Sequence, residues 1–111
     1  DQGVSQKHHW VAYGKRLSGS ITIDEGCTKA VLNHGASILP AGIIEVDGSF
    51  EPGDTVSIIS KGKEIARGLV NYSSTDLLKI RGHNTQDIAR VLEIDTTYDE
   101  VVHRNNLVII H

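Results

Sequence analysis

A lone cysteine, Cys27, and six histidines carry the most versatile chemistry in this 111-residue chain. A thiol beside an imidazole can act as a nucleophile. Cys27, however, falls on the apolar side of a helical pattern with Ala30 and Val31, where a thiol packs as a small inert hydrophobe. His8-His9 offers two imidazoles to a metal, but adjacent residues point in different directions. No second ligand pair stands at the spacing of a structural metal site, so a solvated doublet is expected. Asp24-Glu25 and Asp99-Glu100 read as helix-start and surface charges, and nothing pairs them into an acid/base set. Eleven glycines include neither a Gly-x-x-x-x-Gly-Lys-Ser/Thr loop nor a Gly-x-Gly-x-x-Gly run after a strand, so nucleotide binding has no support. Lys15, Arg16, Lys29, Lys79 and Arg81 are candidates for a local basic face, although such residues ordinarily sit solvated without a partner. No catalytic, cofactor-binding or metal-binding residue is assigned.

What stands out instead is a docking surface. In His34-Gly35-Ala36-Ser37-Ile38-Leu39-Pro40-Ala41-Gly42-Ile43-Ile44, one helix ends and one strand begins around an apolar turn. Asp24 is placed to cap the helix, and Gly35 falls where a left-handed residue would end it. Pro40 restricts the backbone and Gly42 releases it, with a positive φ expected at Gly42. Ile44 and Val46 then alternate with Glu45 and Asp47, as in a half-buried strand. Such a turn can offer backbone amides and small side chains to a partner.

The elements that must hold this turn follow from periodicity. Residues 1–9 are polar and aperiodic, read as a linker or the stub of an upstream domain, and a single domain is expected over 10–111. Ile21 and Ile23 alternate with Thr22 in a first strand. Phe50-Glu51-Pro52-Gly53-Asp54 suits a type II turn with Gly53 at the positive-φ position. Val56 and Ile58, then Ile65 to Tyr72, flank Lys61-Gly62-Lys63 as a hairpin, and Gly68 inside its second strand marks a bulge or a close approach. Ser74 to Ile80 reads as a helix stopped by Gly82. Asn84 or Thr85 can cap another carrying Ile88, Val91 and Leu92. Leu107 to Ile110 is a short buried strand closing the sheet. The fold class is mainly β with inserted helices (α+β), a small and mainly antiparallel pseudo-barrel.

Composition bounds the function. A net charge of −3 argues against a chain whose main work is gripping nucleic acid, which relies on clustered Lys and Arg. One cysteine cannot form an internal disulfide, and a reducing compartment is the simpler expectation. No apolar run approaches the ~18 residues that span a bilayer, and no signal-like segment opens the chain, so a cytoplasmic location is expected.

Taken in order, Ser18 to Gly26, Gly35 to Ile43, Phe50 to Asp54, Glu64 to Val70 and Val102 to Val108 resemble the PUA domain family. Arg81-Gly82-His83, His103-Arg104 and Trp10 bring the resemblance closest to the C-terminal PUA domains of bacterial glutamate 5-kinases, enzymes of proline biosynthesis. The pattern departs at Asn105-Asn106, where an Asp is common, and at Leu92-Glu93-Ile94, where Leu-Gly-Tyr is commoner. The resemblance implies an amino acid kinase domain upstream of residue 1, which with ATP and Mg²⁺ would phosphorylate the side-chain carboxylate of L-glutamate. It implies no cofactor in the present chain, and a regulatory or scaffolding role. PUA domains of RNA-modifying enzymes bind structured RNA through this helix-to-strand turn. Gly35, Ser37, Leu39, Pro40, Gly42 and Ile43, with Lys29 beside them, therefore inherit that role or a protein-binding one.

Overall fold

The computed structural model describes residues 17–95 and 98–110. Lys15, Arg16, Trp10, the His8-His9 doublet and the expected boundary near residue 10 lie outside them. Among the described residues, five strands and three helices follow in order: β1 (Leu17–Ile23), α1 (Glu25–His34), β2 (Ile43–Gly48), β3 (Thr55–Ser60), β4 (Lys63–Leu69), α2 (Ser74–Ile80), α3 (Ile88–Leu92) and β5 (Leu107–Ile109). A short 3₁₀ turn, Pro40–Gly42, leads into β2.

The strands form one sheet in the order β2-β1-β3-β4-β5. Three of its neighbouring pairs are antiparallel, whereas β1 and β3 run parallel. The parallel pair arises because the chain, after laying β2 antiparallel to β1, crosses the end of β1 and enters on its other side. At that crossing the backbones nearly touch. A Cβ on Gly19 would stand 2.4 Å from the Asp47 carbonyl oxygen, and one on Gly48 would stand 2.8 Å from Gly19 Cα, so neither position accepts a side chain without movement. β5 pairs only with β4 and lies at a sheet edge opposite β2, so the curled sheet is a pseudo-barrel and not a closed one.

Ile21, Ile23, Val56, Ile58 and Ala66 point to the inner face, where they meet Val31 of α1, Leu77 and Ile80 of α2, and Ile88 of α3. Phe50 fills the crossing and is itself anchored: Ser74 Oγ accepts its N–H at 3.2 Å, and its carbonyl accepts the Ser74 N–H at 3.0 Å. The Pro52-Gly53 turn forms as its residues require, with Gly53 at φ 94° and the Asp54 N–H donating to the Glu51 carbonyl at 3.0 Å. Lys61 and Gly62, both at positive φ, make the two-residue loop between β3 and β4.

The ladder register is interrupted in β4 and in β2. The irregularity in β4 is at Ile65, which has no partner between the Ile58–Ala66 and Ile59–Glu64 pairs. Gly68, expected to mark a bulge or a close approach, marks the close approach, since a Cβ there would fall 2.5 Å from Val102 Cγ1. In β2, Ile43 pairs with Ile23 and Glu45 with Thr22, leaving Ile44 as an extra, bulged residue. The bulge breaks the expected alternation at Ile44 alone: Ile43 is buried and Ile44 is 55% exposed, while Val46 stays packed against the core and Glu45 and Asp47 face outward as expected.

On β3 and β4, Glu64 gathers partners. Its Oε2 accepts from Arg67 Nε at 2.8 Å and from Ser57 Oγ at 2.6 Å. The Arg67 hydrogen bond, opposed by partial burial and reinforced by Ser57, holds the carboxyl below the usual glutamate range. Because the folded protein favours the ionised form more than the unfolded chain does, the contribution is present above pH about 4.3. It is lost as the pH falls through the lowered value. Glu64→Gln should therefore lower the melting temperature at pH 7, and the deficit should shrink as the medium is made acid enough to protonate the Glu64 carboxylate in the folded parent protein. An equal deficit at pH 7 and in acid would show that the carboxylate charge is not what stabilises.

Candidate functional site

The helix-to-strand turn is built from Asp24 outward. Asp24 precedes α1 in extended backbone, and its Oδ1 accepts the Cys27 N–H at 2.7 Å, satisfying one of the open donors of the first turn. Its own N–H donates to the Gly42 carbonyl at 2.9 Å, which ties the start of α1 to the 3₁₀ turn. At the other end Gly35 takes φ 61° and the Ala36 N–H closes back on the Ala30 carbonyl at 3.1 Å, as expected for a left-handed helix stop. The chain then bridges to the C-terminal segment: Ile38 pairs with Val102, and Ser37 Oγ accepts the Arg104 N–H at 2.8 Å.

Between α1 and the returning arm lies an open groove of about 360 Å³. Gly26, Cys27 and Ala30 form one wall, while Ala36, Leu39 and Ala41 form the other, with Gly42 at the floor. Asp24 supplies the one formally charged side chain on this lining. Leu39 is 44% exposed at the edge.

The seven residues assigned to a partner surface separate into groups. Ser37, Leu39 and Gly42 line the groove, and Gly35 is exposed at the helix stop. Pro40 and Ile43 are corrected: both side chains are buried on the core side of the turn, where they fix its path and form no part of its exposed surface. Lys29 is exposed on α1, with its ammonium 3.7 Å from Glu25 Oε2, and Lys61 reaches the same carboxylate at 3.9 Å. The expectation of available backbone amides is also revised. The N–H groups of Ala36, Ile38 and Gly42 are used inside the domain, so the groove presents mainly small apolar side chains.

Gly42 is required for a different reason from the one its sequence suggested. Its φ is not positive. A Cβ there would instead stand 2.7 Å from Cys27 Cβ and 3.0 Å from Cys27 Sγ. The thiol is half-buried, and that burial, together with the nearby Asp24 carboxylate, raises its pKa to about 11 against a partial offset from a Leu39 backbone hydrogen bond. Cys27 is thus a packing residue in the groove wall, protonated at neutral pH. Among the described residues, no group of three or more His, Cys, Asp or Glu converges as metal ligands do, and no helix is long and apolar enough to cross a membrane.

Arg81 was a candidate cation by composition alone. Its Nη1 donates to the Ile44 carbonyl at 2.9 Å, holding the bulge of β2 against the end of α2. The Gly82 N–H donates to the Pro40 carbonyl at 2.8 Å beside it. Sequence spacing gave no sign of either contact, because both join segments distant in the chain.

The profile of the PUA domain family matches residues 19–92, from the crossing glycine of β1 to the end of α3. The chain belongs to the PUA domain family. Two solved PUA-domain structures share its fold: one from Aeropyrum pernix K1 covers 86% of this PUA domain and 48% of its own chain at TM-score 0.55 and 22% identity. The other, from Thermoplasma acidophilum, covers 82% and 46% at TM-score 0.51 and 25% identity. Among curated proteins, the glutamate 5-kinase of Thermoanaerobacter sp. is 44% identical over 96% of this chain. That of Dictyoglomus turgidum is 46% identical over 98%. In both cases the chain corresponds to the C-terminal part of the relative and spans only 29% of its length.

Gly42→Ala should cost about 1–3 kcal/mol, the usual range for forcing a methyl group into a filled space. Urea unfolding checks this: the midpoint should fall with an unchanged slope. An unchanged midpoint would mean that the 3₁₀ turn moves away from α1 without penalty.

Proposed function

We propose that this chain is the non-catalytic C-terminal PUA module of a cytoplasmic glutamate 5-kinase, and that it regulates or scaffolds the kinase domain preceding it in the polypeptide. The observation that carries this reading is the nearly end-to-end correspondence with the C-terminal part of such kinases at 44–46% identity. In this reading, transfer of the ATP γ-phosphoryl group to the side-chain carboxylate of L-glutamate, with Mg²⁺, belongs to the upstream domain. The PUA module supplies a folded surface, of which the groove beside α1 is the apolar part.

The test is removal of residues 17–110 from the full-length protein. A folded truncated enzyme should still form glutamyl phosphate from glutamate and Mg-ATP, with altered oligomeric state or altered response to effectors. Complete loss of turnover in a truncated protein that remains folded would overturn the non-catalytic assignment.

Structured RNA is the alternative partner, supported by the family and by the exposed cations Lys79, Arg81 and Arg104 around the turn. Electrostatics limits it. Lys29 already faces Glu25, Arg81 is engaged with Ile44, and the chain carries a net charge of −3. Any RNA binding should therefore be weak and fall steeply with salt, since each phosphate contact releases counterions. Titrating a fluorescently labelled structured RNA at low and moderate salt measures this; tight binding indifferent to salt would make RNA the primary partner.

A further inference from the structure

We propose that the groove between α1 and the Pro40–Gly42 turn is where the kinase domain of the same polypeptide docks, through a segment that inserts an aliphatic side chain and sets a neighbouring Lys or Arg beside Asp24. The inference rests on the functional reading above and names the contact through which the module would act.

Three observations select this occupant. The first is shape: the groove, about 360 Å³, is at the lower end of the range for ligand sites. Glycine and alanine on both walls leave room that a larger side chain from outside can fill, while Leu39 stands 44% exposed at the edge as a ready apolar contact. The second is charge. Asp24 is the charged member of the lining, its Oδ1 lies 3.8 Å from where a Cβ on Gly42 would be, and the nearest lysine on α1, Lys29, is turned to Glu25. On the groove lining a phosphodiester would meet a carboxylate and no cation, whereas a basic residue next to an aliphatic one matches both features.

The third observation is size. A stable contact between separate proteins buries about 800 Å² on each partner, far more than one side-chain-sized groove provides. A second copy or an independent protein would therefore bind here only weakly. A segment of the same polypeptide needs no such area, because tethering gives it a high effective concentration. The relatives carry more than two thirds of their length outside the matched region, since the chain spans 29% of each. That length is the source of the segment.

The experiment uses the full-length protein with the photoreactive residue p-benzoylphenylalanine in place of Leu39. Irradiation should give an intramolecular cross-link whose yield does not depend on protein concentration. The linked peptide should come from the kinase portion and contain an aliphatic residue adjacent to Lys or Arg. Adding Asp24→Asn, which keeps a side-chain oxygen to cap α1 but removes the charge, should lower the yield severalfold without loss of folding by circular dichroism. Cross-links to co-purifying RNA, cross-links between copies that rise with concentration, or no cross-link in a folded protein would each overturn the inference. Glutamate- and Mg-ATP-dependent turnover of the same sample is scored separately. Turnover without the intramolecular link sinks the docking site alone, and absence of turnover sinks the functional reading beneath it as well.

Discussion

Asp24 forms hydrogen bonds in two directions at once. Its side chain completes the first turn of α1 through the Cys27 N–H, while its main chain receives the 3₁₀ turn through the Gly42 carbonyl. Helix and turn are thus held at one distance, and that distance is short enough that Gly42 has no room for a side chain against Cys27. The groove is what remains above this junction. Its width follows from backbone hydrogen bonding, and its apolar character follows from the small residues that such close spacing demands.

A second set of contacts keeps the arm from swinging away. Ile38 bridges to Val102, Ser37 receives the Arg104 amide, and Arg81 holds the carbonyl of the bulged Ile44. Each ties the 36–44 segment to a part of the chain far downstream, so the surface is assembled only when the C-terminal segment and α2 are both in place. The groove is accordingly a property of the finished fold and not of a local motif.

This explains which features were legible in the sequence. The Asp24 cap, the Gly35 stop, the Pro52-Gly53 reversal and the β3–β4 hairpin are encoded by neighbouring residues, and all formed as local chemistry requires. The PUA resemblance likewise held over residues 19–92. What failed depended on tertiary partners. Ile44 was expected inside because alternation assumes an unbroken ladder, and one extra residue in β2 turned it outward. Pro40 and Ile43 owe their surface assignment to the family resemblance and not to their own pattern, and the turn folds both side chains toward the core. Gly42 suggested a positive φ, when the constraint was a neighbour across space. At the remaining groove positions, alanines and glycines carry no periodic signal that separates a binding wall from filler.

The crossing of the chain over the end of β1 bears on how this domain can be assembled. Since β3 enters beside β1 in parallel, the central pair of the sheet cannot form from a local hairpin and must close the long loop that contains α1 and β2. The β3–β4 hairpin, in contrast, is local. Nucleation is therefore easiest in the middle of the sequence, and the β1–β3 junction is the slow, entropy-limited event. The Lys61-Gly62 loop, which is exposed and spans two adjacent antiparallel strands, is the place where the chain can be cut or lengthened at least cost. The Gly19–Gly48 crossing is where it can be altered least.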